Sequence, residues 1–578
     1  MTELLSLFPK CEVATLLVDT YFDRVHWFML LFHQDDFRQR WQQAYQYSTE
    51  QLTKNSQNAG FISTFLMVLA IGLQYAGKHR KSLLDAYGVD TYRLRDNILN
   101  TIRTRLLDIV SLGPLEAAQT CVLLGTYYLY HGNPGLAWPV CGCGLRIAQA
   151  LNLHRKLPLH SSATVGMRQQ YETRKRCWWA IYEIETFCSM SYGYPHSVKD
   201  SDCDIELLDP LSRTSTGHSP TSLDETQQCS LLSYKYFMSK LSILTKSILT
   251  ELYGISQDKA NYPKSSSDLH RLAQKVAELD TRLQLWKDNI PPRLQLDRAN
   301  PPAPTYTSAE EMDKDIGASG PGFENHIYQL QALALALAYE NARILVHRPL
   351  LSYKMITRNP NSMGSHMSLQ ACRDAALSTS RLGLLPIFTL ASDTYATAFI
   401  GMHTFTAGVT VCILASIEPL TLQSQQSKIG LNQLMSMQTS LKAKSGFAAQ
   451  GLDILKRLTR LVMKKEMQEI LNPRPTQPTV DDVSEPAAGP AFPGINESMP
   501  FDYVEDPTMS QALYDFDQGV FSYTPVIVQA NRAAISTNLP NELSEGALFS
   551  DMDSHGFAQE QAWIWGFDKL INFHDNNL

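Results

Sequence analysis

PLEAAQTCVLLGTYYLYHGNPGLAWPVCGCGLRIAQALNL, residues 114–153, decides the fold. Pro114 stands where a helix can begin, at a first turn whose N–H groups have no intrahelical partner. Apolar residues then run from 115 to 130 with helical spacing, and Gly132-Asn133-Pro134-Gly135 breaks the run. A second helical pattern fills 136–153. Two helices joined by so short a Gly/Pro connection form an antiparallel hairpin.

Outward from this hairpin, three- and four-residue apolar spacing continues. Residues 13–41 predict helix, turn, helix, through Leu16, Leu17, Tyr21, Arg24, Trp27, Phe28, Phe37 and Trp41. Further helices are expected over 62–75, 96–111, 168–192, 230–253, 268–288, 325–347, 370–385, 394–417 and 449–471. Polar, Pro- and Ser-rich loops are expected near 209–228, 256–267 and 291–322. Alternating strand patterns are nearly absent. The sequence therefore predicts an all-α fold: one large multi-helix domain of packed helical hairpins with inserted loops, over residues 1–470. Residues 394–417 carry no Asp, Glu, Lys or Arg and are long enough to cross a membrane. Gly401, Gly408, His403 and five threonines in that stretch point instead to a buried core helix, with no membrane partner.

Charge divides the chain. Residues 471–578 hold 16 Asp and Glu against 3 Lys and Arg, a net of −13. The whole chain is −7, so residues 1–470 carry +6. Seven prolines between 473 and 500 interrupt any helix there, and a disordered tail is expected. Its acids are interspersed with aromatics: Phe501-Asp502-Tyr503, Tyr514-Asp515-Phe516-Asp517, and Trp563-Ile564-Trp565-Gly566-Phe567-Asp568. Acidic charge keeps such aromatics solvated and free to fold as a short amphipathic helix in a partner's groove. Phe501, Asp502, Tyr503, Tyr514, Phe516, Trp563, Trp565 and Phe567 are thus candidate activation residues for coactivator proteins. Docking of 563–573 onto the chain's own body is the alternative.

Candidate catalytic and metal chemistry is thin. The ten cysteines include no CxxC pair and sit mostly in apolar surroundings, the pattern of buried free thiols. Cys141-Gly-Cys143 places its two thiols on different sides of a helix, with no His or Cys cluster beside it in the sequence. Gly142 and Gly144 lack the preceding strand and spacing of a phosphate loop. Asp200, Asp202 and Asp204 lack the Gly and closing Glu of a calcium loop, and predict a capped loop. His26 and His33 read as cap or interface residues. No cofactor, no metal and no enzyme activity is expected. Lys78-His79-Arg80-Lys81 reads either as a solvated loop or as a nuclear import signal. Lys456, Arg457, Arg460, Lys464 and Lys465 make a basic helix face beside Leu455, Leu458 and Val462. Arg174-Lys175-Arg176 precedes Trp178-Trp179, so its cations can pair with carboxylates or stack on the indoles while the tryptophans anchor a core.

Four segments, in order, resemble one family. They are Tyr21-Phe22-Asp23-Arg24-Val25-His26-Trp27-Phe28; Ala137-Trp138 followed by Leu145-Arg146-Ile147-Ala148 and Leu153-His154-Arg155; Arg174-Lys175-Arg176 with Trp178-Trp179, Gly193 and Pro195; and Leu345-Val346-His347-Arg348-Pro349-Leu350. Together they resemble the fungal-specific transcription factor domain, or middle homology region, over roughly residues 15–465. The resemblance makes Trp27, Trp138, Arg146, His154, Arg174, Arg176, Trp178, Trp179, Gly193, Pro195, Arg348 and Pro349 structural motif residues. Three positions depart from the family pattern: Tyr194 stands for Arg, Asn152 for Gly and Gly144 for Ala, and looser local packing is expected there.

The resemblance implies a nuclear transcription regulator of a specific pathway, such as a secondary-metabolite gene cluster, with a helical regulatory and dimerisation body and an acidic activation tail. Members usually begin with a six-cysteine zinc module that enters the DNA major groove. Here only Cys11 precedes residue 100. DNA contact is then expected through a partner factor or through a zinc module outside this sequence, and a homo- or heterodimer is implied. The alternative is an interaction module that does not bind DNA and sequesters or assists a related zinc-cluster factor.

Overall fold

The structure, a computed structural model, describes residues 2–46, 56–112, 114–131, 133–157, 164–210, 229–253, 266–297, 303–357 and 363–471. Among these the secondary structure is helical throughout, with no strand. The longer helices are α1 (Ser56–Tyr75), α2 (Pro114–Tyr130), α3 (Pro134–Ala150), α4 (Val165–Tyr192), α5 (Leu231–Tyr253), α6 (Ser266–Asp288), α7 (Gly320–Thr357), α8 (Met363–Leu382), α9 (Thr397–Ile417), α10 (Leu422–Leu441) and α11 (Gly446–Leu471). Shorter helices are given by residue range.

The hairpin of α2 and α3 is close-packed because its facing residues are small. A Cβ on Gly125 would lie 2.3 Å from the Cys141 sulfur, and one on Gly144 2.9 Å from Cys121 Cβ. Cys141 and Cys121 therefore fill hollows opposite glycines. The departure at Gly144 tightens this contact rather than loosening it. α1 packs on one side of the hairpin and α4 on the other. From α4 the chain continues as a run of adjacent helices, α5 on α4, α7 on α5 and α6, α8 on α7, and α9 on α8. α9 is then wrapped by α10 and α11 and reaches back to α2. α9 is long and apolar enough to cross a membrane, but 94% of its most apolar window is buried inside the protein, as expected of a core helix.

A buried ionic knot ties three distant segments. Arg80 is fully buried and donates to Asp23 at 2.8 Å and to the Asp313 carbonyl at 3.0 Å. Arg24, also fully buried, donates to Asp313 at 3.1 Å. The Asp313 carboxylate accepts from the N–H groups of Gly77, His79 and Arg80 at 2.8–3.2 Å, where the helix Lys78–Ala86 begins. An anion there satisfies orphan donors and meets the positive end of the helix. Lys78-His79-Arg80-Lys81 is therefore the first turn of a helix, not a solvated loop. The sequence stretch 291–322 is likewise more than loop: it contains the helix Ala309–Lys314, and Asp313 lies within it.

Other expectations need correction. Residues 96–111 divide at Arg105 into the helices Thr91–Thr104 and Leu106–Leu112. α10 has no counterpart among the expected helices. α7 runs 38 residues and passes straight through Pro349. His26 is neither cap nor interface but buried against Phe22, with ring centroids 4.7 Å apart. The loop expected near 209–228 and the tail expected after 471 lie, from 211 to 228 and from 472 onward, outside the described residues.

Candidate functional site: a central cavity framed by the motif helices

The motif residues close helix ends. Gly193 caps α4 in the left-handed conformation, at φ +73°. At the end of α3, Asn152 takes φ +55° and the Leu153 N–H reaches back to the Ala148 carbonyl at 2.9 Å. Asn is among the few non-glycine residues suited to that position, so the departure from Gly keeps the cap. The Leu151 carbonyl at the same end accepts from Arg174 at 2.7 Å. Arg176, 4% exposed, donates to the carbonyls of Phe32 at 2.7 Å and Leu30 at 3.5 Å, and its guanidinium also binds Glu172. Its pairing with a carboxylate agrees with expectation. Stacking on the tryptophans does not occur, because carbonyls orphaned at helix ends take the donors instead.

The tryptophans are interior. Trp178 and Trp27 are 1% and 3% exposed. Trp179 donates its indole N–H to the Glu206 carbonyl at 3.0 Å. Trp138 stacks on Tyr194 at 4.8 Å, so the Tyr that departs from the family pattern supplies packing. His154 meets Trp178 at 5.6 Å and accepts, through its carbonyl, from the N–H of Asp204 at 3.1 Å. Arg146 and Pro195 are exposed. In α7, Pro349 has no N–H for the Leu345 carbonyl four residues back. The Tyr253 hydroxyl donates to that carbonyl at 2.7 Å, and Arg348 lies over the Tyr253 ring at 5.2 Å. The candidate activation residues Phe501, Asp502, Tyr503, Tyr514, Phe516, Trp563, Trp565 and Phe567 lie outside the described residues. Of the three aspartates after α4, Asp200 binds Lys246 at 2.8 Å and Asp204 accepts from the Lys156 N–H at 2.8 Å.

Three helices that carry motif segments, together with α2, α5 and α9, line a cavity of about 80 Å³. It lies where the short helix His26–Met29, α2, α4 and α5 meet α7 and α9. Phe28 of the first motif and the adjoining Met29, held by the Arg176 contact to the chain that follows them, form one wall. α4, the helix of the tryptophan pair, supplies Glu183; α5 supplies Lys235; α9 supplies Phe399 and His403.

Glu183 and Lys235 form an internal ion pair at 2.5 Å, and Ser239 donates to the other Glu183 oxygen at 2.7 Å. Burial pushes the Glu183 carboxyl above its usual range, while Lys235 and Ser239 pull it back. His403, 2% exposed, has no hydrogen-bond partner at either ring nitrogen and meets the Phe399 ring edge-on at 4.2 Å. Burial holds its pKa down to about 3, so the ring is neutral. The hydroxyls of Tyr130 and Tyr234 are held protonated by burial. The cavity can therefore grip a neutral molecule by packing and hydrogen bonding. Of its walls the sequence marks Phe28, within the first motif, and His403, inside the uncharged stretch, without bringing the two together. The available signal was polar residues inside apolar helix runs, as with His403 in a 24-residue stretch free of charge.

Residues 18–288 match the model of the fungal specific transcription factor domain. The chain is 23% identical over 354 residues to a transcriptional regulatory protein of Schizosaccharomyces pombe, covering 61% of this chain and 38% of that one. It is 25% identical over 255 residues to the activator of stress genes protein 1 of Candida albicans, covering 43% and 24%. It is 23% identical over 265 residues to the oosporein cluster regulator of Beauveria bassiana, covering 42% and 34%. The chain thus spans a quarter to two-fifths of the length of these relatives, whose names are those of transcriptional regulators rather than enzymes. With the motif segments of α3 and α4 and the chain around Trp27 falling inside the matched span, the chain carries a fungal specific transcription factor domain over residues 18–288.

Proposed function

We propose that this chain is a nuclear transcription regulator with two working parts: a helical body, residues 1–470, that receives a signal and dimerises, and an acidic tail, residues 471–578, that recruits coactivator proteins. The observation that carries it is the match of residues 18–288 to the fungal specific transcription factor domain. The similarity to a cluster regulator and to an activator of stress genes favours control of one pathway, such as a secondary-metabolite gene cluster or a stress response. DNA contact comes through a partner factor or a zinc module outside this sequence. A net charge of −13 with aromatics set among the acids supports the role of the tail.

Fusing residues 471–578 to an unrelated DNA-binding domain tests the division of labour. A reporter should respond to the fusion, and replacing Phe501, Tyr503, Trp563 and Trp565 with alanine should remove most of the response. A silent reporter with the fusion present in nuclei would exclude activation by the tail. It would favour the second reading, a body that sequesters or assists a related factor.

A further inference from the structure

We propose that the central cavity is a binding site for a small neutral molecule: one apolar ring or short chain carrying a single hydroxyl or carbonyl group. This goes beyond the transcriptional role and does not depend on it.

The walls fix the apolar part. Phe28, Phe187 and Phe399, with Met29, Met190 and Met238, surround the space. At about 80 Å³ it is smaller than the engineered cavity of about 150 Å³ that admits benzene. Three of the walls are methionines, whose unbranched side chains move aside readily. A single ring is then the upper limit of size.

The charges fix neutrality. Glu183 and Lys235 neutralise each other at 2.5 Å, and His403 is uncharged. An ionised ligand would find no uncompensated opposite charge, and burying it unpaired is costly.

The unspent polar groups call for a hydrogen-bonding function. Lys235 has three N–H donors and uses one, on Glu183. His403 offers one donor and one acceptor, and neither nitrogen has a partner in the structure. Each such group costs roughly 1–3 kcal/mol while it stays unpaired. A hydroxyl or carbonyl on the occupant supplies the missing partner. Because the walls come from helices far apart in the chain, 26–29 to 397–417, an occupant also biases how those helices sit together.

The test titrates the full chain with phenol, cyclohexanone and benzene, reading melting temperature and calorimetric heat. Phenol or cyclohexanone should bind saturably and raise the melting temperature. Benzene should bind at least about tenfold more weakly, because it leaves the polar groups unpaired. His403→Phe should narrow that gap to about twofold or less. Ala338→Leu, at a wall of α7, should abolish binding of all three while leaving the unliganded protein as stable or more so. Should His403→Phe not fold, the three probes and Ala338→Leu still decide. A cavity holding only water would give no saturable shift with any probe, and that result overturns the proposal. So would equal affinity for benzene and phenol, or binding that survives Ala338→Leu.

Discussion

Tyr253 and Pro349 illustrate what the motif residues do. Proline leaves the Leu345 carbonyl without its helix donor, and the Tyr253 hydroxyl takes the vacancy at 2.7 Å. Tyr253→Phe should therefore cost about 1 kcal/mol of unfolding free energy. In a Pro349→Ala background, which restores the N–H, the same change should cost less, leaving only the Tyr253–Arg348 hydrogen bond to be lost. A double-mutant cycle by urea denaturation measures the difference. Arg176 is the stronger case. Its guanidinium serves Glu172 and two carbonyls from a nearly water-free position. Arg176→Met should destabilise by roughly 3–5 kcal/mol, because Glu172 and the Phe32 carbonyl lose their partner. Arg176→Lys should recover only part of that, since an ammonium cannot span the fork. Equal stability of Arg176→Met and wild type in denaturant melts would contradict this role.

At the scale of elements, Asp313 holds the start of helix Lys78–Ala86 and both buried arginines. Asp313→Ala should cost roughly 3–5 kcal/mol, and the amides of Gly77, His79 and Arg80 should lose hydrogen-exchange protection before the rest of the chain. Uniform loss of protection would mean that the knot does not anchor this helix. The sequence could not show the knot, because its members stand at positions 23, 24, 80 and 313 and a cluster of charges reads as solvated until its partners are known. What was legible follows the same logic in reverse. The α2–α3 hairpin, α4 and α9 announce themselves by local apolar spacing and Gly/Pro breaks. α10 did not, because Gln, Ser and Lys fill half of its positions and its buried Leu431, Leu434 and Leu441 are sparse. α7 extends beyond the expected 325–347 at both ends, and a tyrosine from another helix makes Pro349 tolerable within it. The motif residues were legible as a set, but their work as donors to helix-end carbonyls was not. The cavity was not legible either, since its walls come from six elements.

For the whole molecule, five histidines among the described residues are held neutral by burial. Burial holds His403 near 3 and His131, His196 and His326 near 4, and drives His26 well below its ordinary value. Unfolding returns each to a pKa of about 6.5. The unfolded chain then binds protons that the folded chain refuses, so stability is full above that pKa and lost as pH falls toward the folded values. From pH 7 to 5.5 each contributes a loss of about 1 kcal/mol. Asp23, whose carboxyl burial pushes up to about 6, opposes this by less than about 1 kcal/mol. A net loss of roughly 4–5 kcal/mol in urea melts is expected, reduced by about a quarter in His403→Leu. Stability independent of pH over that interval would contradict neutral burial.

The regulatory role is tested most directly by chromatin occupancy of the tagged full-length protein in a fungal host. The prediction is sharp promoter peaks that persist when residues 471–578 are removed, together with a fall in transcription of the adjoining genes. Nuclear protein without any peaks would contradict direct regulation and leave a module that acts by holding another factor.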